Sequence, residues 1–136
     1  MSGAKHVTLR WQHGMAFEGG VEGRPPIVID SEGKAGPGPM DALLLALAAC
    51  TASDVVSILE KMRFPVRGMT VDATGERRAE HPKRYTSIAL TYRIRAPGAP
   101  EERVRHAIDL SLERYCSVTH SLGPDIARSY DLVLEA

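Results

Sequence analysis

Hydrophobic and polar positions change period several times along this chain, and each change marks an element. Val7, Leu9 and Trp11 alternate with Thr8 and Arg10, the period of a half-buried strand. Gln12-His13-Gly14 reads as a turn and Met15 to Phe17 as the returning strand. Gly19, Gly20 and Gly23 break the pattern, and Arg24-Pro25-Pro26 leads into a third strand, Ile27-Val28-Ile29. These segments predict a small antiparallel meander.

A loop dense in Gly and Pro, Ser31 to Pro39, comes next. Pro39 fixes φ where a helix can begin, and Met40 to Met62 holds neither Pro nor Gly. The pattern predicts a helix of about 34 Å, with Thr51 the place where a break would fall. Its first half is apolar nearly all round, as in a buried helix. Its second half sets Val55, Ile58, Leu59 and Met62 against Asp54, Glu60 and Lys61.

Beyond Phe64-Pro65, Met69, Val71 and Ala73 alternate with polar residues. Thr86, Ile88, Leu90, Tyr92 and Ile94 form the cleanest period-2 face. The two segments predict a long hairpin with one wet face, joined by the charged stretch Glu76 to Lys83. Glu101 and Glu102, after a Pro-Gly turn, suit the positive end of a helix. Val104, Ile108, Leu112 and Tyr115 then recur on one helical face, with Cys116 at its C-terminal end. Tyr130, Leu132 and Leu134 make a last strand. The order predicts an α+β fold in a single domain over residues 1–136: N-terminal antiparallel strands, a long buried central helix, further antiparallel strands, then a C-terminal helix and strand. A helix apolar all round needs cover on more than one side. A second subunit supplies it, so a homodimer with Met40 to Met62 near the interface is expected.

Composition narrows the partners. Lys plus Arg and Asp plus Glu both total 17 and the net charge is zero. A nucleic-acid binder would show a basic surplus, so none is expected as a partner. The N-terminus lacks the apolar core of a secretory signal. The longest uninterrupted apolar run, Ala42 to Cys50, is short of the roughly 18 residues of a membrane span. No membrane partner is expected, and the expected location is cytoplasmic, where a disulfide is transient and catalytic, not a staple.

The chain has 2 cysteines, too few for a disulfide scaffold. Cys50 closes a run of small apolar residues; Ala48 and Ala49 leave room around its sulfur, while Thr51 and Ser53 offer hydroxyl donors to a thiolate. Read alone, it is a small buried hydrophobe. Cys116, at the negative end of a helix, would have a raised pKa, which suits a resolving thiol. Cys116 and His120 are spaced for chelation, but zinc wants three or four ligands and His6, His13, His81 and His106 are scattered. No metal is expected. The Gly-rich Gly33 to Gly38 lacks the phosphate-loop spacing. The chain reads as a dithiol redox protein if the two thiols meet and as a small domain with two buried thiols if they do not; a thiol–disulfide exchange protein and a non-catalytic dimer binding an apolar ligand both stay open.

Gly38-Pro39-Met40-Asp41-Ala42-Leu43-Leu44-Leu45-Ala46-Leu47-Ala48-Ala49-Cys50-Thr51, followed by Asp54-Val55-Val56-Ser57-Ile58-Leu59, and the second motif Glu113-Arg114-Tyr115-Cys116-Ser117-Val118 together resemble the OsmC/Ohr family of osmotically inducible and organic hydroperoxide resistance proteins. The resemblance covers most of the chain. It implies an intertwined homodimer with sites at the subunit interface, Cys50 as peroxidatic thiol and Cys116 as resolving thiol. It also implies reduction of organic or hydrogen peroxides through a Cys50 sulfenate and a Cys50–Cys116 disulfide, recycled by a thiol or a lipoyl-type dithiol. No metal, flavin or haem cofactor is implied. The hydroperoxidases carry a Glu where this chain has Met40, and an Arg in the N-terminal strands. Asp41, Glu113, Arg10 and Arg24 are the auxiliary candidates here.

Overall fold

The computed structural model describes residues 3–136. The chain divides into two compact units, Met1–Leu43 and Leu44–Ala136.

In the first unit, β1 (Thr8–His13), β2 (Ala16–Gly20) and β3 (Ile27–Asp30) form the expected antiparallel meander. Gly14, at φ 52°, makes the tight turn in which His13 pairs with Ala16. Trp11 Nε1 donates to the Gly14 carbonyl at 2.8 Å and braces that turn. The apolar stripe on β1 is present but uncovered in this chain: Leu9 is 57% and Trp11 66% exposed. Asp30 organises the following loop, its carboxylate accepting N–H bonds from Glu32, Lys34 and Ala35.

Helix α1 (Pro39–Lys61) begins in the first unit and continues in the second. It runs through Thr51 without a break, because no Pro or Gly interrupts its hydrogen bonds. A left-handed Arg63 (φ 68°) ends it, with Phe64 N–H reaching the Leu59 carbonyl and Arg63 N–H that of Glu60. Within the single chain α1 is covered on one side. Only Leu47, Thr51, Val55 and Leu59, spaced by four, are buried, while Leu45 remains 58% exposed. The uninterrupted apolar run ends at Cys50, but by length and composition the whole of α1 is long and apolar enough to cross a membrane. A core helix meets the same criterion, and Val55 and Leu59 are wholly buried within the second unit's own core.

That unit holds a three-stranded sheet in the order β4 (Gly68–Arg77), β5 (Tyr85–Arg95), β6 (Ala127–Glu135). β4 and β5 are antiparallel, and β6 runs parallel to β5. Ile88, Leu90, Tyr92 and Ile94 point inward, as their alternation predicts. Thr86 does not: a bulge at Glu76/Arg77 shifts the register, and Tyr85 takes the buried place. Val104, Ala107 and Ile108 of α2 (Glu101–Leu110) are also fully buried in this unit.

After α2 the helical phase changes. Ser111–Tyr115 form a π-helical turn closed by Cys116 N–H on the Ser111 carbonyl at 2.7 Å. Ser111 continues the buried stripe of Val104, Ala107 and Ile108; the wider turn carries that stripe on to Cys116 and leaves Tyr115 56% exposed, against the expectation that Tyr115 continues the buried face. Cys116 is extended (φ −71°, ψ 99°) and opens a new short helix, α3 (Ser117–Ser121).

Candidate functional site

The spacing of four between Cys50 and Asp54 puts both on one face of α1, and the π-helical turn brings Cys116 to them. The two sulfurs and a carboxylate oxygen of Asp54 all lie within 4.8 Å of one another. Both cysteines are free. Their environments differ: Cys50 is half-buried and Cys116 has no exposed surface. From this separation a modest side-chain movement reaches the ~2.05 Å of a disulfide bond.

Behind the sulfurs runs a chain of hydroxyls. Tyr92 Oη is 2.8 Å from Thr51 Oγ1, which is 2.8 Å from Ser111 Oγ, which is 2.8 Å from Asp54 Oδ2. Each hydroxyl has one proton, and an ionised carboxylate only accepts. The assignment that leaves no proton stranded has Tyr92 donating to Thr51, Thr51 to Ser111 and Ser111 to Asp54. The network pins Asp54 from the core side. Thr51 and Ser53 therefore do not serve Cys50, contrary to expectation: Thr51 belongs to this chain, and Ser53 Oγ donates to the Ala49 carbonyl at 2.7 Å.

Burial pushes the Cys116 thiol up to about 11; the Thr119 N–H on Sγ, at 3.5 Å, opposes this, and a hydrogen bond to Cys50 and the nearby Asp54 charge add to it. The direction agrees with expectation, but the cause does not. Cys116 starts a helix, so desolvation and not a negative helix end keeps it protonated. Burial likewise pushes Tyr92 to about 12, partly offset by its bond to Thr51. Both groups fold in their protonated form, so their contribution is full below the unfolded values of 9.0 and 10.0 and is lost as pH climbs towards about 11 and 12. Urea-unfolding midpoints are accordingly expected to fall steadily above pH ~9. Cys116→Ala should flatten the lower part of that decline.

Of the auxiliary candidates, Asp41, Arg10 and Arg24 belong to the first unit and Glu113 to the second. Asp41 is in the first turn of α1, its carboxylate accepting from Gly38 N–H at 3.0 Å. Glu113 is exposed on the π-helical turn. Arg10 and Arg24 line one open groove of the first unit. Asp54, absent from the candidates, is the residue that joins the sulfurs; its spacing from Cys50 was the available signal. A second groove, of about 530 Å³, opens beside Asp54 between Ile58, Lys61, Met62, Leu110 and Tyr115.

Two thiolates and a carboxylate also suit a thiophilic divalent cation with one open position. The cluster that could hold it is Cys50, Asp54 and Cys116, not the Cys116–His120 pair considered from spacing.

Comparison with known proteins agrees with this architecture. The model of the OsmC-like protein family matches residues 31–129. Protein YhfA of Escherichia coli K12 is 38% identical over 128 residues, 92% of this chain and 96% of that protein. The crystal structure of an OsmC-like protein from Mycoplasma pneumoniae superposes with a TM-score of 0.85 at 19% identity, covering 100% of both chains. An organic hydroperoxide resistance protein OsmC from Legionella pneumophila gives 0.70 at 12% identity, covering 97% of this chain and 99% of that one. At those identities the two structures establish a shared fold. On the family match and the long similarity to YhfA together, this chain belongs to the OsmC-like protein family.

Proposed function

We propose that the protein is a thiol-dependent peroxide reductase acting in redox stress, with Cys50 as the attacking thiol and Cys116 as the resolving one. The observation that carries this reading is a pair of free thiols within 4.8 Å of each other in unequal settings. A half-buried sulfur is open to a peroxide; a fully buried thiol pushed up to about 11 is a poor first nucleophile and is placed to close a disulfide. The Legionella protein of the same fold carries a hydroperoxide-resistance name, which supports the reaction class.

The steps balance simply. The Cys50 thiolate attacks the peroxide O–O bond, becoming a sulfenic acid and releasing an alcohol once a proton reaches the departing oxygen. Cys116 then displaces water, forming the disulfide. A thiol or dithiol, lipoyl-type included, restores both thiols. Such a cycle suits a reducing compartment such as the cytoplasm.

Reduced protein treated with cumene hydroperoxide is expected to lose both thiols at near-stoichiometric peroxide. Mass spectrometry should then show a Cys50–Cys116 link. Two unreacted thiols under excess peroxide would sink the proposal.

The assembly proposed with it is a homodimer that covers the bare side of α1, where Leu45 is 58% and Val56 39% exposed. Solution scattering should give about twice the 14.8 kDa chain mass. Val56→Glu, placing a charge on the covered face, should shift the population to monomer. A native protein that scatters as a monomer would rule the dimer out.

A further inference from the structure

We infer that Asp54 is the proton acceptor for Cys116, removing the thiol proton as Cys116 Sγ attacks an electrophilic sulfur at Cys50. Three observations carry it. The Asp54 carboxylate lies within 4.8 Å of both sulfurs, and among the described residues no other His, Asp or Glu joins that cluster. Ser111 Oγ, anchored through Thr51 to Tyr92, holds the carboxylate in place at 2.8 Å. Cys116 has no exposed surface from which water could take its proton.

The need for such a group follows from burial. A thiol with no exposed surface is ionised only to a small fraction at neutral pH. Attack by that fraction alone would leave a Cys50 sulfenate exposed to further oxidation. With Asp54 the step balances. Cys116 Sγ supplies the electron pair of the new S–S bond. The Cys50 S–O bond breaks with its pair on oxygen. The proton taken by Asp54 passes to that oxygen, and water leaves. The Cys116 sulfur is oxidised and the Cys50 sulfur reduced. Tyr92, at the far end of the hydroxyl chain, is pushed up to about 12 by burial and keeps its proton throughout the working range. This role rests on the assignment of Cys50 as attacker and Cys116 as resolver. It does not require the electrophile to come from a peroxide.

A disulfide reagent therefore tests it independently. One equivalent of 5,5′-dithiobis(2-nitrobenzoate) should label Cys50, releasing one thionitrobenzoate, followed by a second as Cys116 closes the disulfide. Cys116→Ser should release only the first. In native protein the second phase is expected to be nearly flat between about pH 6.5 and 8.5, because the base is intramolecular. In Asp54→Asn, which keeps an acceptor for Ser111, the first phase should stay within about threefold of native. Its second phase should slow by about thirtyfold or more near neutrality and climb about tenfold per pH unit, following the thiolate fraction. Ser111→Ala should slow closure less than tenfold and keep the flat profile, since the base remains. A native second-phase rate in Asp54→Asn, or a slowed rate with an unchanged pH profile, would overturn the assignment. If peroxide leaves the native thiols untouched while the two-phase release stands, the peroxidase reading fails and the Asp54 role survives.

Discussion

Cys50→Ser is expected to lower peroxide consumption by roughly 10³-fold or more, to the background rate. A serine hydroxyl in the same half-buried position is neither ionised nor polarisable enough to attack an O–O bond. The neighbouring thiol cannot substitute, since Cys116 is fully buried and held protonated by desolvation. Cys116→Ser should behave differently: the first equivalent of peroxide is consumed at close to the native rate, and a sulfenate accumulates at Cys50. Dimedone labelling followed by intact mass measurement distinguishes the two variants. Substantial turnover in Cys50→Ser, or a dimedone adduct on Cys116 in the native protein, would reverse the assigned roles.

The largest stability effect at the site is expected from Thr51→Val. The change is close to isosteric, so it leaves little cavity; what it removes is the middle of the hydroxyl chain. Tyr92 loses the acceptor of its proton and Ser111 loses a donor, both in the core. Leaving the phenol unpaired costs about 1–3 kcal/mol and the bond lost to Ser111, which still donates to Asp54, about 1 kcal/mol more, roughly 2–4 kcal/mol in all. Tyr92→Phe should cost only about 1 kcal/mol, because Thr51 can still donate to Ser111. The double variant should then be less destabilised than the sum of the two, since the phenol that Thr51→Val strands is gone. Urea unfolding of the four proteins completes the cycle. Strictly additive losses would mean that the hydroxyls do not act as a chain.

Much of this molecule is legible in its residue pattern. The alternation at Ile88, Leu90, Tyr92 and Ile94 places β5 and its inward face correctly. The stretch from Pro39 without Pro or Gly yields α1 to within a residue of its ends. The flanking motifs single out Cys50 and Cys116 before any coordinates. The errors share a cause. Tyr85 replaces Thr86 because of a bulge, and Cys116 replaces Tyr115 on the buried helical face because of a π-helical turn. Each inserts a local shift into an otherwise regular period, and a period read from apolar residues alone carries no signal for it.

The same limit hid Asp54. On α1 it reads as the polar side of an amphipathic helix, and only Ser111 and Cys116, some sixty residues later, give it a different meaning. By itself, then, the sequence determined the strands, the long helix, the two thiols and the family they resemble, because each is written in local periodicity or contiguous motif. The tertiary structure alone decided that the thiols meet, that a carboxylate meets them, and that burial sets them apart. Those are contacts across long stretches of chain, fixed by a phase change in one helical turn and by the desolvation of a packed core.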